Sequence, residues 1–233
     1  VTDNGGGHRG GGAPVAGGGS GRARADGRHE VGVGPHPEPW PDDPRLDPVL
    51  LAEGDRRNVV DRYRYWRVEA IVADLDAKGF PVEVAIENWE HDLNIGTVVR
   101  NANAFGARTV HVVGRRRWNR RGAMVTDRYL HVVHHPDFAS LARHAAQRRL
   151  ELVGIDNLDG SVPIESVTLP YRSLLVFGQE GPGLSDAARA AVSMVCSITM
   201  YGSTRSINAG VASGIALHEW ARTHAAGEHP RPG

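Results

Sequence analysis

The chain has 233 residues, with 27 Lys and Arg against 27 Asp and Glu. Zero formal net charge excludes a global field for attracting nucleic acid, so charge has to act through local patches. Cys196 is the only cysteine, which excludes an intrachain disulfide framework and a multi-cysteine zinc site; it lies in an apolar run that predicts a packing role.

No charged-then-apolar leader and no apolar run of about 18 residues occurs. The expectation is a cytoplasmic protein with no membrane partner. Residues 1–47 are dominated by glycine as far as Gly34, then by Pro35, Pro37, Pro39, Pro41 and Pro44. Such a segment buries too little apolar surface to offset its ordering entropy, so a disordered tail is predicted. From Arg56 to Lys78, Val59, Tyr63, Trp66, Ala70 and Leu75 recur at helical spacing, and Gly79 and Pro81 end the pattern. Residues 48–80 therefore read as a helical extension. Its Arg56, Arg57, Arg62, Arg64 and Arg67 interleave with Tyr63, Tyr65 and Trp66. That pattern suits an RNA face or a solvated face over packed rings equally well.

From residue 81 to 226, strands and helices alternate. Strands are predicted at 82–86, 109–113, 150–155, 174–177 and 195–200. Helices are predicted at 95–105, 138–149, 185–192 (capped by Ser185) and 207–224. This is an α/β pattern, with a mostly parallel sheet flanked by helices on both faces. Residues 227–233 read as a disordered C-terminus. Ligands of such sheets bind beyond the carboxyl ends of the strands.

Three segments rich in small and polar residues fall at those positions: Asn94–Gly106, Phe177–Ser185 and Gly202–Gly210. In the first, Ile95, Val98, Val99, Ala102 and Phe105 supply a packing face, and Asn94 reads as an N-cap as readily as a site residue. Arg100 has no carboxylate one turn away, at Thr97 or Ala104, and reads as an anion or oxyanion anchor. The second, Gly178-Gln-Glu-Gly-Pro-Gly183, lacks the Gly-Lys-Ser/Thr of a phosphate loop and the dinucleotide G-x-G-x-x-G spacing. Glu180 would repel phosphate, so a neutral or cationic ligand is indicated; taken alone, a plain turn reads as well. In the third, Ser206 and Asn208 stand where side chains would face a cavity.

Arg115, Arg116, Arg117, Arg120 and Arg121 surround Trp118, a combination that predicts RNA contact through phosphates and stacked bases. The spacing of His131, His134 and His135 fits no helical His-x-x-x-His pair, so no metal is expected.

In order, the three segments resemble the three motifs of the SpoU (TrmH-like) branch of the SPOUT RNA methyltransferases. The first resembles Asn94-x-Gly96-x-x-x-Arg100-x-Ala102-x-x-Phe105-Gly106. The second resembles Val176-Phe-Gly178-x-Glu180-Gly-x-Gly183-Leu-Ser185, and the third Ile198-x-Met200-x-Gly202-x-x-x-Ser206-Ile-Asn208. The resemblance implies a SPOUT fold over residues 81–226, with a C-terminal deep trefoil knot that holds S-adenosylmethionine. It implies transfer of a methyl group to a ribose 2′-hydroxyl of tRNA or rRNA by a homodimer whose active site is completed across the interface. Carried over by position, Gly178, Glu180, Gly181, Ile198, Met200 and Ile207 would contact the cofactor. Arg100, Asn94, Glu180, Ser206 and Asn208 would form the catalytic set, with Arg100 as activator of the hydroxyl. An RNA-binding module without catalysis and a base-nitrogen methyltransferase are the alternatives. The chain departs from the family where Ala209-Gly210 replaces the usual Val-Ser after the third motif, which removes a hydroxyl at the start of the last helix.

Overall fold

The computed structural model describes residues 32–89, 94–179 and 181–225. The chain divides into two units between Trp66 and Arg67.

In the first unit, helix α1 (Pro48–Glu53) starts at Asp47, whose carboxylate accepts the Val49 N–H, and ends at Gly54, which has φ 91°. Residues 33–47 fall in the expected structureless tail but carry defined pairing: Val33 bridges Asp55 and Leu46 bridges Trp66. The continuous helix expected from Arg56 does not form. The buried carboxylate of Asp55 accepts the N–H groups of Arg57 and Tyr65, both at 2.9 Å. A side chain that captures backbone donors competes with the helical ladder. Only a 3₁₀ turn remains at Asp61–Tyr63, and Tyr65 is left-handed with φ 63°. Arg57 and Arg64 are absorbed too. Arg57 pairs with Asp55 at 2.6 Å, and Arg64 donates to the Arg57 carbonyl at 2.6 Å.

The second unit begins with helix α2 (Val68–Lys78), which ends at Gly79. Among the described residues seven strands follow: β1 (Glu83–Asn88), β2 (Thr109–Gly114), β3 (His131–His135), β4 (Glu151–Ile155), β5 (Val162–Pro163), β6 (Ser173–Phe177) and β7 (Met194–Ser197). Every pairing among them is parallel, in the order β3-β2-β1-β6-β4-β7-β5. β1 and β6 lie mid-sheet and are buried along their whole length; β6 reads as an apolar run for that reason, whereas β1 also buries Glu83, Glu87 and Asn88. β3 and β5 escape sequence reading. β3 is rich in histidine, and β5 has two residues ending in proline.

Helix α3 (Ile95–Ala104) buries Ile95, Val98, Val99 and Ala102 on one sheet face. Helix α6 (Ala209–His224) covers the same face with Ala212, Ala216, Leu217 and Trp220. Helices α4 (Phe138–Arg148) and α5 (Asp186–Ala191) cover the other face, where Phe138, Leu141, Leu174, Val176 and Leu184 form a second core. Ser185 caps α5 as expected, its hydroxyl accepting the Ala188 N–H at 3.2 Å. Cys196 is fully buried and burial pushes its thiol pKa up, in keeping with a packing role.

Candidate active site

β6, β4 and β7 are neighbours, and their carboxyl ends open on one cavity of about 280 Å³. Its walls include Gly178, Gly181, Ile198, Met200, Ser206, Ile207 and Asn208, all singled out by the sequence. Glu180 lies outside the described residues.

The glycine loop after β6 is shaped by close approach. A Cβ at Gly178 would lie 2.0 Å from the carbonyl carbon of Gly183. Gly183 itself has φ +71°, and a Cβ there would sit 2.3 Å from Oδ2 of Asp156. Asp156 was not expected at the site. Its Oδ2 accepts the Leu184 N–H at 2.9 Å, and its Oδ1 accepts the Asn157 N–H at 2.8 Å. Asn157 in turn donates to the Arg205 carbonyl at 3.1 Å and so anchors the third-motif loop. The loop after β4 thus holds both the glycine loop and the third-motif loop, a role that no local pattern announces.

Asn94 is buried and stands at the N-cap position of α3, but its side chain makes no capping bond there. Instead its Oδ1 accepts from Asn208 Nδ2 at 2.6 Å. Asn208 is the residue that caps a helix: its Oδ1 accepts the N–H groups of Gly210 and Val211 at 2.9 and 3.3 Å. One side chain therefore fixes the start of α6 and ties the third motif to the first.

Asn101, not singled out by sequence, adds a second tie. Its Nδ2 donates to the Gly210 carbonyl at 2.7 Å and to Ser213 Oγ at 2.9 Å. The departure at Gly210 acquires a reason here. A Cβ at that position would lie 2.8 Å from both Cβ and Cγ2 of Thr97. Glycine lets α6 close on α3. We expect Gly210→Ser to cost about 1–3 kcal/mol of stability by overpacking. Urea midpoints would measure it, and Thr97→Gly should recover part of the loss in a double-mutant cycle.

Arg100 is exposed, does not line this cavity, and makes no hydrogen bond or ion pair among the described residues. The structure therefore gathers Asn94, Ser206 and Asn208 but leaves Arg100 outside the cavity of its own chain.

The arginine-rich loop follows β2. Buried Asn88 donates to the carbonyls of Arg115 and Arg117 at 2.8 and 2.9 Å, which pins the backbone and leaves the side chains of Arg115, Arg116, Arg117 and Arg121 exposed. Trp118 is half-buried, with part of its ring packed against the core. Arg120 lies over the Trp118 ring, 5.6 Å from its centroid, and 3.4 Å from Asp127. The same loop abuts α3, because a Cβ at Gly96 would lie 2.7 Å from Gly122 Cα and from Ala123 N. The first motif's glycine is a contact point for the basic loop.

The cavity's chemistry is definite. Phe177, Ile198, Met200 and Ile207 supply apolar walls. No arginine or lysine lines it among the described residues, and Asp156 supplies a carboxylate. Gln179 Oε1 is buried with no partner among the described residues and lies in the wall, so an acceptor is held ready for a ligand donor. Such a site suits a neutral or cationic, partly apolar molecule with hydrogen-bond donors.

Residues 81–218 match the model of the SpoU rRNA Methylase family. The chain belongs to that family.

A tRNA/rRNA methyltransferase of Mycolicibacterium vanbaalenii, itself uncharacterized, is 32% identical over 171 residues, covering 70% of this chain and 54% of that protein. The chain spans about half the length of the curated relatives it matches. Among solved structures, the SpoU methyltransferase AviRb from Streptomyces viridochromogenes in complex with the cofactor AdoMet aligns at a TM-score of 0.57 with 28% identity. That alignment covers 62% of this chain and 61% of AviRb. The TrmH/SpoU tRNA modifying enzyme of A. aeolicus has the same fold, with a TM-score of 0.59 at 20% identity, covering 67% of this chain and 82% of the enzyme.

Proposed function

We propose that this SpoU-family chain is an S-adenosylmethionine-dependent RNA methyltransferase that modifies a ribose 2′-hydroxyl of tRNA or rRNA as a homodimer. The observation that carries the reading is the cavity itself. The second and third motifs wall it, and the Asn208–Asn94 bond joins it to the first. The absence of basic groups from its lining among the described residues, its carboxylate and its apolar walls fit a sulfonium cofactor, and the structural relative AviRb has been solved in complex with AdoMet. Gly178, Gly181, Ile198, Met200 and Ile207 would hold the cofactor, with Gln179 as acceptor. On this reading the loops at 178–183 and 198–208 belong to the family's knotted region.

Bound cofactor supplies an electrophilic methyl group on a positively charged sulfur. The chain's own contribution is to align the ribose and stabilise charge. A guanidinium keeps its proton at any physiological pH and is a poor general base. Arg100 therefore stabilises the developing alkoxide or holds the adjacent phosphate. Because Arg100 lies off its own chain's cavity, it serves the cavity of the partner subunit. The exposed Arg115, Arg116, Arg117 and Arg121, on a loop packed against the first motif, track the RNA backbone.

Nucleoside mass spectrometry of tRNA and rRNA incubated with the protein and labelled cofactor tests this reading. The expected product is a single 2′-O-methylated nucleotide. A methylated base would overturn the ribose assignment, and unlabelled RNA would overturn the catalytic one.

A further inference from the structure

The histidines that draw the eye in the sequence are scattered by the fold, and others take their place. His131 pairs with Asp76 at 3.0 Å and half of its side chain is exposed, while His134 Nε2 meets the Gly114 carbonyl at 2.7 Å. His135 turns inward. Strand alternation places Glu83 of β1 and His111 of β2 on the sheet face beneath α4, which contributes His144. Glu83 Oε2 lies 2.7 Å from His111 Nε2 and 2.8 Å from His144 Nε2. The three ligand atoms lie within 4.8 Å of one another. We infer that Glu83, His111 and His144 form a binding site for one divalent transition-metal ion of the zinc class, converging from β1, β2 and α4.

Charge supports this assignment. The Glu83 side chain is 7% exposed and that of His111 is 0% exposed. A carboxylate buried so deeply needs compensation. The cation beside Glu83 is Arg148, 3.4 Å from Oε1, whose side chain is 62% exposed and free to swing into solvent. A dication would balance the carboxylate, and imidazole and carboxylate together are ligands of the zinc class.

Geometry supports it too. Zinc bonds of about 2.0–2.2 Å in a tetrahedron separate ligand atoms by about 3.3 Å. The two carboxylate–imidazole separations of 2.7 and 2.8 Å need to open by about 0.5–0.6 Å to reach that spacing, and the two imidazole nitrogens lie within 4.8 Å of each other. Behind the first ligands, His111 Nδ1 is 2.9 Å from His135 Nε2, and His135 Nδ1 is 3.0 Å from Ser140 Oγ. A hydrogen bond on the far nitrogen of a ligating histidine fixes its tautomer and orientation. The fourth position opens on the side of His144, whose side chain is 25% exposed, and suits a water. Glu83 opens β1, so the site lies towards the opposite end of the strands from the cavity. Its role is to clip β1, β2 and α4 together, independent of methyl transfer.

The untagged full chain, stripped with chelator, should be titrated with Zn²⁺ by calorimetry and with Co²⁺ by visible absorption. The wild type should bind one more equivalent than Glu83→Gln or His144→Ala and show tetrahedral Co²⁺ bands that both variants lack. His135→Ala should weaken that equivalent by about 10–100-fold, and His131→Ala should leave it unchanged. Equal stoichiometry and affinity in wild type and His144→Ala would overturn the proposal and reduce the cluster to a hydrogen-bonded network. His144 is partly exposed, so its variant decides the matter should Glu83→Gln fail to fold.

Discussion

Replacing Arg100 with alanine should lower single-turnover methyl transfer by about 10²–10³-fold, the cost of removing one preorganised donor from a developing oxyanion. Cofactor affinity and thermal stability should stay near wild type. Both halves of this expectation follow from its position. Arg100 is exposed on α3 and makes no hydrogen bond or ion pair among the described residues, so the fold does not lean on it. It also stands outside the cavity where the cofactor is proposed to bind. Arg100→Lys keeps the charge but loses the planar fork that engages two oxygens at once, and should recover only part of the rate. Near-full activity with lysine would refute the need for that fork. A fall in cofactor affinity equal to the fall in rate would place Arg100 in cofactor binding instead.

Gly178→Ala should sharply weaken cofactor binding, for a different reason. The methyl group it adds would lie 2.0 Å from one backbone carbon of Gly183 and 2.3 Å from the Leu184 nitrogen. Backbone cannot move aside as a flexible side chain does, so the loop must open. Overpacking of this kind costs about 1–3 kcal/mol, and more where no rearrangement relieves it. The distortion falls on the segment that walls the cavity and on the Leu184 N–H bonded to Asp156. Calorimetry with S-adenosylmethionine should show affinity reduced by more than about 100-fold, equivalent to about 2.7 kcal/mol. Unchanged affinity would mean that the cofactor lies elsewhere. The two variants together test the proposed dimer. Mixed Arg100→Ala and Gly178→Ala chains should regain activity, because a heterodimer holds one intact cavity facing one intact arginine. No recovery in confirmed heterodimers would place Arg100 in the site of its own chain.

Much of the fold was legible because its signals are local. The apolar runs at 109–113 and 174–177, the Ser185 cap and the packing face of residues 95–105 each depend on residues within a turn or a strand of one another. Where a distant partner intervenes, the local signal fails. The periodic segment from Arg56 promised one helix, but the Asp55 carboxylate reaches ten residues along to the Tyr65 N–H and breaks it. Trp118 sits among arginines, and only the structure shows that part of its ring also packs against the core. Histidines 131, 134 and 135 drew attention by adjacency, while the buried cluster combines Glu83, His111 and His144 from three elements.

The sequence by itself determined the chemistry at the strand ends: small residues where backbones must touch, amides where loops must be tied, and an arginine on the first motif. These are short-range requirements, and each motif carries its own. The tertiary structure alone decided which of them meet. Asn208 reaches Asn94 across 114 residues, and Asp156 holds a loop 28 residues away. It also decided that Arg100 is exposed and does not line its own chain's cavity and that Gly210 is the clearance α6 needs beside Thr97. Sheet order and helix packing set those meetings, and both arise from burial summed over the whole domain, which no local stretch of chain encodes.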